Sequence, residues 1–457
     1  MARNGFFTGL DIGTSSIKVL VAEFVNGQMN VIGASNVPSA GVKDGIVIDI
    51  EAAAASVREA IEQAEEKAGV SIDKVSVALP AQQIQMEPTQ GMIPIAGSSK
   101  EIRDEDVENV IKSALTKNVA PEREVISLIP EEFTIDGFKG IRDPRGMMGI
   151  RLEMRGTLYT GPSTVLHNLR KAIERAGLKL EHTVISSLAL TGAILNEGER
   201  EFGATVIDMG AGQTTISVIK NQQLQHNEVF HEGGDYVTKD ISKVLKTSIQ
   251  TAETLKYNFG SADLETASQT DVVQVDVVGS SQPLEVTEHY LAEIIVARIR
   301  HILDRVYQTL NQARLLDMPG GIVVTGGGAI LPGVADLAQQ IFGVPVKLHI
   351  PHQVGIRNPI FSTVISLVET VGQMSDVDII AQAAVSGEEL LRRKPIEVTT
   401  SPSTVERLAS KILPIEPAVA EQDSPQSDYS ATEETAAPKK KLGDRFRGLF
   451  DNLHLFD

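Results

Sequence analysis

Two short loops built on Asp-x-Gly constrain this chain more than anything else in it. The first is Leu10-Asp11-Ile12-Gly13-Thr14-Ser15-Ser16-Ile17-Lys18-Val19, and the second is Ile207-Asp208-Met209-Gly210-Ala211-Gly212-Gln213-Thr214-Thr215. Each follows an apolar run, tightens at glycine, passes through small or hydroxylated residues and returns to an apolar run. That pattern predicts a strand, a tight turn and a second strand, twice over. Glycine lets the backbone come close to a phosphate, while hydroxyls and backbone N–H groups donate to its oxygens. An aspartate in each loop can hold hydrated Mg²⁺, an ion that keeps most of its waters. A single turn of this kind is an ordinary hairpin. Two matched copies predict phosphates gripped between duplicated halves.

A third glycine cluster, Gly326-Gly327-Gly328 in a segment running to Gly333, follows the apolar run Ile322–Thr325 and precedes a helix. Without side chains there, a flat purine can lie against the backbone. The three clusters, in this order, predict a nucleotide site.

The surrounding pattern is α/β, with alternating strands and helices. At 457 residues the chain is too long for one core, so subdomains are expected. A meander is expected at Phe6–Asp11, Ile17–Phe24 and Met29–Ala34, then a helix at Ile50–Ala68 and a buried strand at Lys74–Leu79. Residues 83–162 differ in texture and read as an inserted α/β module. Its expected elements are strands at Ile84–Glu87, Gly91–Ile95, Val125–Ile135 and Ile150–Tyr159, and a helix at Arg103–Lys117. Further helices are expected at Ser163–Ala176, Tyr236–Leu245, Thr251–Phe259, Thr287–Leu316 and Leu331–Phe342, with a strand at Gly321–Thr325.

Composition removes several functions. The chain has no cysteine, which excludes disulfides, zinc-thiolate sites and a cysteine nucleophile, and suits a reducing cytosol. A net charge of −18 argues against a nucleic-acid partner. The residues before Asp11 are too few for a signal-peptide core and no apolar run is long enough to span a bilayer, so a cytoplasmic protein is expected.

From Pro395 to Pro438 the sequence falls into Pro, Ser, Thr, Glu and Ala, the composition of a solvated linker. The last residues are different. Lys439, Lys440 and Lys441 precede Leu442, Phe446, Leu449, Phe450, Leu453 and Phe456. On a helix these six apolar side chains fall within an arc of about 120°, with Arg445 outside it. Large apolar residues beside a basic cluster match an amphipathic helix lying on an anionic membrane surface. Fifteen residues span about 22 Å as a helix, too short to cross.

The phosphate and adenosine motifs at Leu10–Val19, Ile207–Val218 and Ile322–Gly333 resemble those of the actin, Hsp70 and sugar-kinase superfamily. The segment Pro130–Glu153, with Gly140-Ile141-Arg142-Asp143-Pro144-Arg145-Gly146-Met147, resembles the extra subdomain of the FtsA family of bacterial cell-division proteins, which also carries an amphipathic tail after a linker. The resemblance implies an actin-like, two-lobed ATPase fold in which the insert replaces the usual small subdomain of the first lobe. It divides the chain into a first core subdomain (1–82 and 163–200, with part of 355–390) and a self-interaction insert (83–162). A second core subdomain (201–232 and 300–354) and a nucleotide- and partner-contacting subdomain (233–299) follow, then the linker (391–438) and the membrane helix (439–457).

Carried over by residue, the resemblance places Mg²⁺ on Asp11 and Asp208 through water. It places the ATP phosphates between Gly13, Thr14, Ser15, Ser16 and Lys18 on one side and Gly210, Gly212, Gln213, Thr214 and Thr215 on the other. Gly234, Glu253 and Lys256 would meet the nucleoside, with Gly326, Gly327 and Gly328. The superfamily often supplies a Glu or Gln before the second phosphate loop to orient the attacking water. The equivalent stretch here offers Ser186 and Ser187, poor bases near neutral pH, so slow or negligible hydrolysis is expected and no catalytic residue is assigned. The implied function is a polymerising adaptor that binds the acidic C-terminal peptide of FtsZ, tethers the division ring to the cytoplasmic face of the membrane at the septum, and recruits later division proteins. Arg298, Arg300 and Arg305 are candidate contacts for that peptide. A superfamily ATPase or kinase, or a pilus-assembly actin homologue, is the alternative.

Overall fold

The computed structural model describes residues 4–96, 100–116 and 119–387. The linker and the tail residues Lys439 to Phe456 lie outside the described residues, as does the last residue of the helix expected at 103–117.

Two five-stranded sheets carry the same topology. In the first, an antiparallel meander of Gly5–Ile12, Ser16–Val25 and Gln28–Pro38 continues through its first strand into parallel Lys74–Leu79 and Lys179–Ile185. In the second, the meander Ala204–Met209, Thr214–Lys220 and Gln223–Phe230 continues into parallel Ile322–Thr325 and Val346–Leu348. The duplication expected from the paired loops is therefore present in the sheets, and the architecture is actin-like. At the centre of each first strand both faces are buried, at Gly9 and Leu10 in one and Val206 and Ile207 in the other.

Helix Ile50–Ala68 makes the crossover from the first meander to its parallel strand. Its bounds are set locally. The Asp49 side chain accepts from Ala52 N, and Gly69 ends it in the left-handed region at φ 67°. Ala53, Val57, Ala60, Ile61 and Ala64 bury its inner face against Val19, Val75 and Val77 in the first core. In the second half, helices Gly234–Leu245, Ile249–Phe259 and Glu288–Gln312 cover the sheet around Ile207, Val237, Leu255 and Ile302.

The insert is a separate four-stranded antiparallel sheet, in the order Gln85–Pro94, Arg151–Pro162, Arg123–Ile135, Phe138–Ile141. Helix Asp104–Ala114 packs on it through Val107, Val110, Ile111 and Ala114. The two short strands expected at 84–87 and 91–95 are one strand. Pro88 is accommodated because the strand is an edge, bonded on one side only. Gly91 does not begin a second strand: a Cβ there would lie 2.1 Å from the Val110 carbonyl oxygen, so glycine allows the helix to sit on the strand.

Other differences are at helix ends. The long helix stops at Gln312, with Arg314 at φ 57° turning the chain, rather than at Leu316. The helix expected from Leu331 begins at Val334, because Gly333 is left-handed at φ 83° and a 3-10 turn occupies Gly327–Ile330. Helices Ser362–Gln373 and Asp376–Ser386 follow. The first packs Val364 and Val368 against Phe24 and Leu20, closing the first sheet from the other side. Arg145 of the insert joins this region, with guanidinium contacts to Asp143 at 2.7 Å, Asp376 at 3.0 Å and Asp104 at 3.3 Å. No helix among the described residues is long and apolar enough to cross a membrane.

Candidate functional site

Both Asp-x-Gly turns close in the same way. Gly13 N donates to Ser16 O at 3.2 Å, and Gly210 N donates to Gln213 O at 2.9 Å. The matching topology brings these two hairpin tips face to face. A Cβ on Gly212 would lie 2.7 Å from Thr14 Oγ1, so the turns touch and only glycine fits between them. Gly233 and Gly234 support the second turn from behind. Gly234 N donates to Gly210 O and Asp235 N donates to Ala211 O, each at 2.9 Å.

The two aspartates share this space. Lys18 Nζ lies 3.3 Å from Asp11 Oδ2, the two residues being register partners across the hairpin. Among the described residues no cation forms an ion pair with Asp208. Burial first, and then the negative charge of Asp11, push its carboxyl up to about 6, with Lys18 opposing. A carboxylate facing a second carboxylate in an enclosed cleft is a site that a divalent cation would relieve. Among the described residues no group of three or more potential metal-ligating side chains exists. Two carboxylates suit a cation that takes its remaining oxygens from water and phosphate.

The other expected residues divide into those open to the cleft and those committed elsewhere. Ser15 is exposed, and Thr14, Ser16, Gly13 and Gly210 are partly accessible. Thr14 Oγ1 accepts from Gly45 N at 2.8 Å. Thr214 is fully buried and its hydroxyl donates to Glu232 O at 2.8 Å, so it ties strand to loop rather than presenting a donor to the cleft. Thr215 is also buried and stands opposite Asp208 in the register. Gly326, at φ 89°, admits no side chain, since a Cβ would lie 2.3 Å from Asp208 Oδ1. Gly328 packs on the Met209 carbonyl and Gly327 near Ile360.

Buried Lys256 pairs with partly exposed Glu253 at the side of the cleft. Lys256 is 6% exposed. Its ammonium contacts both Glu253 oxygens at 2.8 and 2.9 Å, Thr238 Oγ1 at 2.8 Å and Gly234 O at 3.3 Å. Thr238 in turn donates to Glu253. The pair therefore fixes the Gly233–Gly234 backbone that carries the second turn. Arg298 and Arg305 are also engaged. Arg298 meets Asp240 at 2.6 Å and Glu232 at 3.1 Å, and Arg305 meets Glu232 at 2.6 Å. Of the three candidate basic contacts, Arg300 is exposed and makes no ion pair among the described residues.

Several residues at the site escape the sequence reading. The loop after the first meander returns to the cleft. Ser39 N donates to Ser15 O at 3.0 Å, and Gly45, at φ 77°, rests beside Gln213. Ser39 Oγ and Gln213 Oε1 are buried with no hydrogen-bond partner among the described residues. Two unpartnered oxygens where this loop meets the two turns suit a hydrated ligand. The Asp44-Gly45 turn is the one sequence signal that could have pointed here. At the hinge, Ser187 donates to Asn227 Oδ1 at 2.5 Å and Asn227 Nδ2 donates to Ala81 O at 3.0 Å, joining the halves. A cavity of about 400 Å³ lies apart from the phosphate turns, between Ser127 and Leu128 of the insert and Glu369 and Gln382 of the last two helices.

Comparison with known proteins gives consistent matches. Residues 205–366 match the family model "Cell division protein FtsA", residues 81–160 match "SHS2 domain inserted in FTSA", and residues 377–457 match "Cell division protein FtsA, C-terminal". The cell division protein FtsA of Streptococcus pneumoniae is 59% identical over 99% of this chain and 99% of its own. That of Bacillus subtilis is 39% identical over 81% and 84%, and that of Escherichia coli 34% identical over 79% and 88%. Among solved structures, the PilM-PilN type IV pilus biogenesis complex superposes with a TM-score of 0.56 at 15% identity, covering 82% of this chain and all of that one, a likeness of fold alone.

Proposed function

The chain belongs to the FtsA family of cell-division proteins, and from that premise we propose that it is an ATP-binding, self-assembling adaptor that holds the FtsZ ring on the cytoplasmic face of the membrane. One observation supports the nucleotide part above the others: the duplicated sheets press the two Asp-x-Gly turns together, with Gly212 against Thr14 and the charge of Asp11 acting on Asp208. ATP sits between those turns. Gly13, Thr14, Ser15 and Ser16 face its phosphates from one side and Gly210, Gly212 and the backbone of Gln213 from the other. Asp11 and Asp208 hold Mg²⁺ through water, and the cation neutralises the two carboxylates and the phosphates together. The purine lies along Gly326–Gly328, beside the Glu253–Lys256 pair.

Nucleotide between the halves sets their relative pose and so controls assembly. Subunits join end to end with the insert 83–162 at the contact. The acidic FtsZ peptide docks on subdomain 233–299 and the adjoining part of helix Glu288–Gln312, with Arg300 meeting it and Arg298 and Arg305 exchanging Glu232 for it. The basic, amphipathic segment 439–457 lies on anionic lipid. Its six large apolar side chains could contribute roughly 9–18 kcal/mol gross if fully buried, from which partial insertion and helix ordering remove much. One tail then binds reversibly, and a filament gains residence through effective concentration. Other division proteins join the assembled form. The test is flotation with anionic vesicles of monomeric protein and of protein cross-linked in filaments. Much stronger binding by filaments is expected. Equal binding per subunit would sink the coupling of assembly to membrane.

A further inference from the structure

Gln213 ends the second turn at the position that Ser16 holds in the first, as the matching Gly210 N to Gln213 O and Gly13 N to Ser16 O bonds show. Its side chain, unlike that of Ser16, reaches the opposite half. A Cβ built on Gly45 would lie 3.2 Å from Nε2 and 3.3 Å from Oε1 of Gln213. Gly45 is itself fixed, at φ 77° and with its N–H on Thr14 Oγ1 at 2.8 Å. The carboxamide is thus caged between the second turn, the loop around Gly45 and the Thr14 corner of the first turn.

In that cage Oε1 is buried and has no partner among the described residues. A buried amide oxygen is an acceptor, and leaving it unpaired is unfavourable. Phosphate oxygens cannot satisfy it, because they are acceptors too. A water molecule can, donating one hydrogen to the amide. Ser187 of helix Ser186–Ile194 does not take this part, since it is fully buried with its hydroxyl on Asn227 Oδ1.

The geometry points to Gln213 as the water-orienting residue of the cleft, its Oε1 accepting a hydrogen bond from the water that attacks the terminal phosphorus of a bound nucleoside triphosphate. This rests on the nucleotide reading of the cleft. In the step, the water oxygen forms a bond to the terminal phosphorus while the bond from that phosphorus to the bridging oxygen breaks. The electron pair leaves on the nucleoside diphosphate, and a water proton passes to the released phosphate. Gln213 gains and loses no proton. It holds the water in line, the part a glutamine can play without being a base. A residue that orients without accepting the proton goes with slow turnover.

The experiment uses full-length protein and the variants Gln213→Leu, which keeps the bulk against Gly45, and Gln213→Glu, which keeps an acceptor at the same reach. Two quantities are read: single-turnover hydrolysis of bound ATP with protein in excess, and equilibrium affinity for Mg-ADP with and without aluminium fluoride, a mimic of the phosphoryl group in transfer. For Gln213→Leu we expect Mg-ADP affinity within about threefold of wild type, a roughly 10²-fold slower turnover, and loss of the tightening that aluminium fluoride gives wild type. Gln213→Glu is expected to keep turnover within about tenfold of wild type at saturating ATP. Wild-type turnover and aluminium fluoride tightening in Gln213→Leu would overturn the assignment, as would wild-type protein that binds ATP yet never hydrolyses it. Wild-type protein that binds neither nucleotide would instead overturn the reading of the cleft, and this inference with it.

Discussion

Replacing Asp208 with Asn should make the empty protein more stable and the loaded protein less so. In the empty cleft the Asp208 carboxyl is pushed from its ordinary 3.8 to about 6, by burial and by Asp11. Below pH 3.8 the carboxyl is protonated in folded and unfolded chains alike, and its contribution is nil. Between 3.8 and about 6 the unfolded chain ionises freely while the folded chain resists, so stability falls as pH rises. Above about 6 the penalty is complete, at about 3 kcal/mol. Asparagine has nearly the same shape and no charge, so Asp208→Asn removes the penalty. Without nucleotide at pH 7.5, the variant should resist urea by about 3 kcal/mol more than wild type and melt a few degrees higher; at pH 5 the gain should be about half as large. Addition of Mg-ADP should reverse the order, because binding stabilises wild type by mass action and the variant lacks the carboxylate that holds the cation. Urea unfolding at both pH values, with and without Mg-ADP, reads all four states. An empty variant less stable than wild type at pH 7.5 would refute the facing-carboxylate argument.

Gly212→Val places branched carbons where a Cβ alone would lie 2.7 Å from Thr14 Oγ1; it should hold the turns apart and weaken Mg-ATP binding at least tenfold by calorimetry, about 1.4 kcal/mol. Arg145→Ala leaves Asp104, Asp143 and Asp376 facing one another without their cation. The group is partly solvated, so a loss of about 1 kcal/mol is expected by urea unfolding, with Arg145→Ala plus Asp376→Asn losing less than the sum of the singles. Phe446→Glu with Phe450→Glu should abolish flotation with anionic vesicles while leaving Mg-ATP affinity unchanged; undiminished flotation would remove the tail from the account.

Much of this was legible because it is local. The crossover helix Ile50–Ala68 is bounded by its own cap and its own glycine, and the strand Lys74–Leu79 by a continuous apolar run. The paired turns were legible because Asp, Gly and small residues recur at the same offsets, and equal hairpins fold equally. What was not legible is set by contacts distant in sequence. Gly91 reads as the start of a separate strand until Val110 is found above it. Thr214 reads as a phosphate donor until Glu232 O takes its hydroxyl. Ser39 carries no motif and Asp44-Gly45 signals only a turn, and their place in the cleft follows from how the loop after the first meander folds back onto Ser15 and Thr14. Arg298 and Arg305 look like free cations on a helix, yet Glu232 comes from a loop more than sixty positions earlier to meet Arg298. Sequence periodicity finds faces; it does not say which polar groups meet across them.

The central claim is that nucleotide in this cleft governs assembly on a membrane. Electron microscopy of the full-length protein on anionic lipid monolayers, with and without Mg-ATP, tests it most directly. Filaments lying on the lipid with Mg-ATP, and sparse unassembled particles without it, are the predicted result. An unassembled coat of protein on the lipid with Mg-ATP present would contradict it.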